Sequence, residues 1–252
     1  MSTESLVFFL LMVAFGSYVQ TVTGFAMGLI VMGTVTIFDL ASISFASIVV
    51  SFLALWNGLI ALRSNHESIN LKITRNVLTG LLPSMIGGVY LLNYLSQSAT
   101  HTIKLGLGIV VIGGGLLLML KPQPRVGLEP QWSFILSGFT AGWLGGLFST
   151  SGPPLVYHLY RQPLSIVAIR TTLLSIFLFS AAARIIVVGL QGQITTEVIK
   201  FSLFSMPVVT IFTLLGNRFP PPLSDENRRR MAFILLIIIG LSLAGTGINY
   251  QF

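Results

Sequence analysis

Ser149-Thr150-Ser151-Gly152-Pro153-Pro154 interrupts an apolar segment that runs from residue 132 to residue 160. As one straight helix at 1.5 Å per residue, those 29 residues would be roughly 44 Å long. The hydrocarbon core of a bilayer is only about 30 Å thick. Tilt absorbs the excess length but gives no reason for three hydroxyl residues, a glycine and two prolines in mid-span. A helix that breaks at these residues and returns to the side it left accounts for both.

The rest of the chain allows a test. Further apolar segments run over 6–38, 42–62, 74–95, 103–120, 165–190, 196–217 and 230–249. If all eight cross, seven Lys and Arg fall on each side of the membrane and no orientation is preferred. If segment 132–160 is a hairpin, Arg161, Arg170, Arg218 and Arg228 to Arg230 join Arg63, Lys72, Arg75, Lys121 and Arg125. The split becomes eleven against three, as the enrichment of Lys and Arg in cytoplasmic loops requires. The hairpin reading prevails.

The first segment, 6–38, has the same character: 33 residues, roughly 50 Å as a straight helix, interrupted by Gln20-Thr21-Val22-Thr23-Gly24. No Lys or Arg precedes it, so its re-entry rests on the likeness of the two halves. Pro83 lies 21 residues before Lys104, and Pro207 lies 21 residues before Arg228, in matching segments. Between the halves, Lys121 to Gln131 carries Pro122, Pro124 and Pro130 and has the composition of a linker. The expected fold is an all-α polytopic membrane protein of two inverted four-segment repeats, each opening with a broken, re-entrant helix. The repeats are expected over 1–120 and 132–252, joined by a cytoplasmic linker over 121–131. Three crossings per half then place both termini outside. The opening Met1-Ser2-Thr3-Glu4-Ser5 lacks the basic region of a cleaved signal, so the first segment is expected to be retained.

Composition agrees. Of 252 residues, 54% are hydrophobic and 8% charged, against about 25% charged in soluble domains. The mean hydropathy is +0.89. The net charge of +7 comes from basic residues set between apolar runs, so it marks loops facing a bilayer surface rather than a nucleic-acid partner. With no Cys there is no thiol chemistry and no disulfide. GxSxG, GxxxxGK[ST] and HExxH patterns are absent and His numbers three, so neither an enzyme nor a cofactor or metal site is expected.

Chemistry is expected at the two breaks. Irregular backbone at membrane depth is tolerated where it is buried in protein or lines a cavity. Each break also supplies a helix N-terminus, with unpaired amides and about half a positive charge. Two such ends facing each other would roughly balance one monovalent anion. The candidate substrate residues are therefore Gln20, Thr21, Thr23 and Gly24 in the first break, and Ser149, Thr150, Ser151 and Gly152 in the second. Pro153 and Pro154 have no N–H, so the second break would lean on the amides of 149–152 and on its hydroxyls. The competing reading is that these small residues let helices pack closely. Arg184, fourteen residues after Arg170, sits about 21 Å deeper along a helix. It is either a partner for an anion or a side chain snorkelling to the headgroups. Asn57 is its nearest polar counterpart in the first half, and an interhelical hydrogen bond is its favoured reading over substrate contact. His158 is a candidate for a coupling proton, or a structural histidine. Asp39 is expected to cap the helix starting near Ala41, and Trp132 to anchor at the interface. Gly87-Gly88 and Gly113 to Gly115 suggest close helix approach.

The stretch Gly138 to Pro154, GFTAGWLGGLFSTSGPP, resembles the glycine-rich signature that opens the second half of the sulfite exporter TauE/SafE family, also called toluene sulfonate uptake permeases. The duplicated four-segment layout, the central linker, the paired prolines and the positions of Arg170 and Arg184 extend the resemblance over nearly the whole chain. It implies a carrier of sulfite, organosulfonates or related anions in the bacterial inner membrane, with the two polar breaks as its substrate site. Where members often carry a Gly-Ile-Gly-Gly-Gly run, this chain has TVTGFAMG, whose bulkier Thr and Phe imply a reshaped pocket. The expected partners are thus a small anion and the lipid bilayer. An anion channel using the same site is the alternative.

Overall fold

The computed structural model describes residues 3–63, 66–98, 100–119 and 125–222. The eighth segment (230–249), Arg228 to Arg230, Lys121 and the two chain ends lie outside the described residues. Among the described residues the longer elements are all α-helices. They are α1 (Thr3–Thr23), α2 (Met27–Ile37), α3 (Ile43–Ala61), α4 (Leu71–Ser98), α5 (Thr100–Met119), α6 (Gln131–Phe148), α7 (Gly152–Tyr160), α8 (Ile166–Leu190) and α9 (Thr196–Arg218). Five of them, α1, α3, α4, α8 and α9, are long and apolar enough to cross a membrane. The protein is a polytopic helical membrane protein.

Both long segments are broken and folded back. In the first, α1 ends at Thr23 and α2 starts at Met27, with Gly24 (φ 88°) and Ala26 (φ 94°) in left-handed conformation between them. Phe8 and Phe38, thirty residues apart, pack edge to face at 4.8 Å, so the end of α2 has returned to the start of α1. In the second, α6 ends on Ser149 (φ 54°) and α7 starts at Gly152 with prolines in its first turn. The rings of Phe134 and His158 lie 4.9 Å apart, and the Arg125 amide donates to the Arg161 carbonyl at 2.8 Å. Each segment therefore folds back so that its two ends meet.

The packing of the halves is reciprocal. α4 lies along α6 as α9 lies along α1, α3 meets α9 as α4 meets α8, and α3 crosses α8. The tightest of these contacts explains the glycines of the 138–154 stretch. Gly138, Gly142 and Gly146 fall on one face of α6, at four-residue spacing. A Cβ on them would lie 2.1, 2.2 and 2.3 Å from the Val77, Leu81 and Met85 carbonyl oxygens of α4. Backbone touches backbone there, as between membrane helices that meet through small residues. Gly88 presses on the Trp143 carbonyl and Gly114 on Pro153, whereas Gly113 has open space beside it. Ser42, Ser165 and Thr195 cap α3, α8 and α9, each side chain accepting a first-turn amide. The cap of α3 is thus Ser42 rather than Asp39, which adopts φ 48° in the turn before it. Trp132 is exposed at the start of α6.

Candidate functional site

The two breaks meet. Gly28, in the first turn of α2, sits so close to the second break that a Cβ on it would lie 2.6 Å from the Ser149 carbonyl oxygen. Around this contact is a cavity of about 40 Å³ lined by Gln20, Ala26, Gly28, Ala54, Gly145, Ser149, Thr150, Ser151, Gly152, Phe177, Ser180, Ala181 and Arg184. One water needs about 10–15 Å³ on such a measure, so the cavity suits a ligand of a few heavy atoms. The residues from the crossing helices, Ala54 of α3 and Phe177 to Arg184 of α8, stand well inside their helices. The cavity is therefore far from either end of both.

Arg184 is 2% exposed and its guanidinium is fully engaged. Nη1 donates to the Ser47 carbonyl (2.9 Å) and to Ser51 Oγ (2.8 Å). Nη2 donates to Ser47 Oγ (3.0 Å) and to the Gly146 carbonyl (3.2 Å), which Nε also reaches at 3.3 Å. All five N–H donors of the fork are used. Arg184 thus ties α8 to α3 and to the end of α6, and neither snorkels nor reaches across the cavity. None of its hydrogen-bond partners is a carboxylate, and the described ion pairs involve Glu129 instead. Among the described residues no carboxylate pairs with its buried positive charge. Such a charge is costly unless something neutralises it.

Ser51 links Arg184 to the second break. Its Oγ accepts from Arg184, donates to the Ser47 carbonyl at 2.9 Å, and lies 2.9 Å from Ser149 Oγ. With the Ser51 proton on the Ser47 carbonyl, Ser149 is the donor of that contact, and an anion in the cavity would compete for its proton. Charge-assisted chains of this kind are stronger than neutral ones. The Ser149 amide is spent on the Gly145 carbonyl (2.9 Å), so the second break offers the amides of 150–152 and its hydroxyls. Ser149 and Ala26 are non-glycine residues in left-handed conformation, both in the cavity wall. Such conformations cost of order 1–3 kcal/mol and cluster at ligand sites.

Of the residues singled out in the sequence, Gln20, Ser149, Thr150, Ser151, Gly152 and Arg184 line the cavity. Thr21, Thr23, Gly24, Asn57 and His158 do not. Thr23 Oγ1 donates to the Val19 and Phe25 carbonyls (2.8 and 3.0 Å) and shapes the break. Gly24 lies against the backbone of Arg170, 3.2 Å from Cβ position to Cα. Asn57 joins three helices: it accepts from Gln20 (3.0 Å) and donates to Thr21 (3.0 Å) and Thr213 (2.7 Å). That bond aims Gln20 from behind the wall. His158 sits at the far end of α7. Ser47, Ser51 and Ser180 escaped the sequence reading, because a serine in an apolar helix carries no signal until its neighbours are known.

The described helices thus place a small cavity, with a buried cation in its wall, between two broken helices of a membrane protein. Residues 8–243 match the family described as "Sulfite exporter TauE/SafE". A protein of Cupriavidus necator named "Probable sulfite/organosulfonate exporter TauE" is 42% identical over 228 residues, 90% of this chain and 89% of that one. "Probable inner membrane transporter protein TsaS" of Comamonas testosteroni is 24% identical over 180 residues, 71% and 74% of the two chains. No solved structure matches the chain. The chain belongs to the sulfite exporter TauE/SafE family of membrane transporters.

Proposed function

We propose that the protein is a secondary transporter of a small sulfur oxyanion, sulfite or a short sulfonate, in the bacterial inner membrane. The carrying observation is Arg184: a buried, fully hydrogen-bonded cation without a carboxylate partner among the described residues, wired through Ser51 and Ser149 to a cavity of small-anion size. The first turns of α2 and α7 add their positive ends to the same cavity. The relatives' names supply sulfur, and the cavity volume favours a compact anion over an aryl sulfonate. Gln20, Thr150, Ser151 and Arg184 are all less than a tenth exposed and Ser149 is partly exposed, so the cavity is largely shielded. Shielding of this kind supports alternating access over an open channel. The halves, 1–120 and 132–252 about the linker 121–131, form the inverted repeats that such a cycle exchanges. Saturable flux of 35S-sulfite into proteoliposomes, without single-channel conductance, is the expected result; unitary currents would make the protein a channel.

Ser149→Ala and Ser151→Ala are each expected to weaken anion affinity roughly tenfold while leaving the fold intact, since a hydrogen bond to a charged group contributes about 1.5–3 kcal/mol. Thr23→Ala is expected to act on thermal stability, because its hydroxyl bonds backbone. Wild-type flux kinetics in both serine variants would leave only a packing role for the break.

The topology has its own test. The chain lacks cysteine, so an introduced Cys is the sole thiol. Asp39→Cys and Gly192→Cys should react with a membrane-impermeant thiol reagent in intact cells. Gly127→Cys and Pro163→Cys, on either side of the second hairpin, should react only after the membrane is opened. Outside labelling of Pro163→Cys with Gly127→Cys protected would mean that the segment 132–160 crosses.

A further inference from the structure

The short helix α7 has two working ends. Its N-terminus forms the cavity wall; its C-terminus carries His158, six residues from Gly152. His158 is buried and its Nε2 has no hydrogen-bond partner. That nitrogen faces Glu129 Oε2, 3.9 Å away, in the stretch between the two halves. Glu129 is itself firmly held. Its side chain is 7% exposed, Oε1 pairs with Arg125 Nε at 3.2 Å, and Ser133 Oγ donates to Oε2. Backbone and amide bonds complete the contact: the Glu129 N–H donates to Gln162 Oε1 (3.0 Å), and Gln162 Nε2 donates to the His158 carbonyl (3.1 Å). The linker is thus seated on the end of the re-entrant helix around one unsatisfied histidine nitrogen.

We infer that His158 and Glu129 form a proton-binding latch between the linker and α7, and that the proton bound there is coupled to the anion bound at the other end of the same helix. The coupling half rests on the transporter reading above; the latch does not. With His158 neutral, the pair is held only by a charge–dipole contact, and at 3.9 Å no hydrogen bond joins Nε2 to the carboxylate. A proton taken from the cytoplasmic solution onto Nε2 turns the pair into imidazolium and carboxylate. Closing from 3.9 Å to the 2.7–2.9 Å of a charge-assisted hydrogen bond then requires about 1 Å of movement between α7 and the linker. When the latch opens, the proton returns to solvent. Any anion affinity that differs between the two positions of α7 must be linked to proton binding, and reciprocally.

Among the described residues, the charges that act on His158 are Glu129 and Arg125 of the linker and Arg161 of the turn after α7, whose guanidinium lies over the Tyr157 ring at 5.6 Å. The first turn of α6 (Gln131 to Phe134) and the end of α5 (114–119) carry no charged residue, and Arg170 of α8 bonds Asn217 at 2.7 Å. Burial raises the proton affinity of Glu129, but Ser133, His158, Arg125 and Arg161 outweigh it and hold the carboxyl below its ordinary range. Glu129 therefore stays ionised near neutral pH, and the group of the pair that can change charge is the histidine, whose protonation burial opposes and the Glu129 carboxylate favours. The sign follows: the latch closes as pH falls through the His158 pKa and opens as it rises.

A spin label on Gly127→Cys, an exposed position in the linker, reads the latch in purified full-length protein without ligand. Its mobility is expected to fall as pH drops from 8 to 5.5 and to follow a single titration. His158→Gln should abolish that titration. Glu129→Gln should move its midpoint to lower pH, which keeps the test decisive if the first variant folds poorly. A titration unchanged in His158→Gln, or a flat wild-type profile, overturns the latch. Methanesulfonate, ionised throughout this range, then reports coupling by calorimetry. Its affinity should change at least threefold across the same titration in the wild type and stay constant in His158→Gln. A pH-independent wild-type affinity overturns the coupling. Failure to bind any of sulfite, thiosulfate or methanesulfonate at any pH would count against the transporter site, while the label titration still decides the latch.

Discussion

Arg184→Gln is expected to reduce sulfite flux at least a hundredfold, and Arg184→Lys to fall between Gln and the parent. The glutamine removes the one positive charge in the cavity wall and most of five hydrogen bonds, including that to Ser51. It leaves the Gly146 carbonyl, which both Nε and Nη2 reached, short of donors in a buried site, whereas the Ser47 carbonyl keeps Ser51 Oγ. An unsatisfied buried group costs about 1–3 kcal/mol, and a lost charge-assisted bond to the relay a similar amount. Lysine restores the charge with three donors but not the planar fork that spans α3 and α6. The ordering Arg, Lys, Gln in affinity, measured on protein that remains monodisperse in detergent, separates an electrostatic role from a purely structural one. Equal flux in Lys and Gln variants would make Arg184 a cross-link and remove the charge from the account.

Gly142→Leu is expected to abolish folding. Even a Cβ at this position would lie 2.2 Å from the Leu81 carbonyl oxygen and 2.2 Å from Ser84 Oγ, and the carbonyl belongs to a helix backbone that cannot step aside. The larger side chain would force α4 and α6 apart along their tightest contact, losing the packing that holds helices together in a bilayer. Overpacking by a few methylenes already costs about 1–3 kcal/mol in soluble cores. Gly113→Ala is the control: nothing lies within 4 Å of its Cβ position. It should be tolerated, with a gain of up to about 1 kcal/mol in helix propensity. Expression and gel-filtration profiles of the two variants check the contrast.

The breaks were legible because polar residues and prolines in the middle of an overlong apolar segment have few structural uses. That the segment 132–160 folds back was legible from Lys and Arg positions, since one missed crossing reverses every later loop; the sides of the membrane are what the cysteine labelling tests. Close helix approach was readable in Gly88 and Gly114 but not separable from the open position Gly113, because glycine spacing does not say which face meets a neighbour. The site was half legible. Ser149 to Gly152, Gln20 and Arg184 converge on one cavity, but Thr21, Thr23 and Asn57 face backbone and each other. Their hydroxyls and amide look the same in sequence whether they hold a ligand or a break. The serine relay was invisible: Ser47 and Ser51 acquire meaning only because α3 crosses α8 at Arg184. Ser42 takes the place of Asp39 as the cap of α3 because the helix starts at Ile43, two residues past the expected Ala41, a shift of the size common at helix ends.

The central claim is that one small oxyanion sits between the two breaks, within reach of Ser149 and Ser151 and near, but not touching, the engaged guanidinium of Arg184. Selenite is the heavier analogue of sulfite, and a protein without cysteine offers it no thiol to oxidise. An anomalous difference map from crystals grown with selenite would locate it directly. A single strong peak is expected in the cavity beside Gly28, at hydrogen-bond distance from the Ser149 and Ser151 hydroxyls. A peak elsewhere in the membrane body, with the cavity between the breaks empty, would contradict the account.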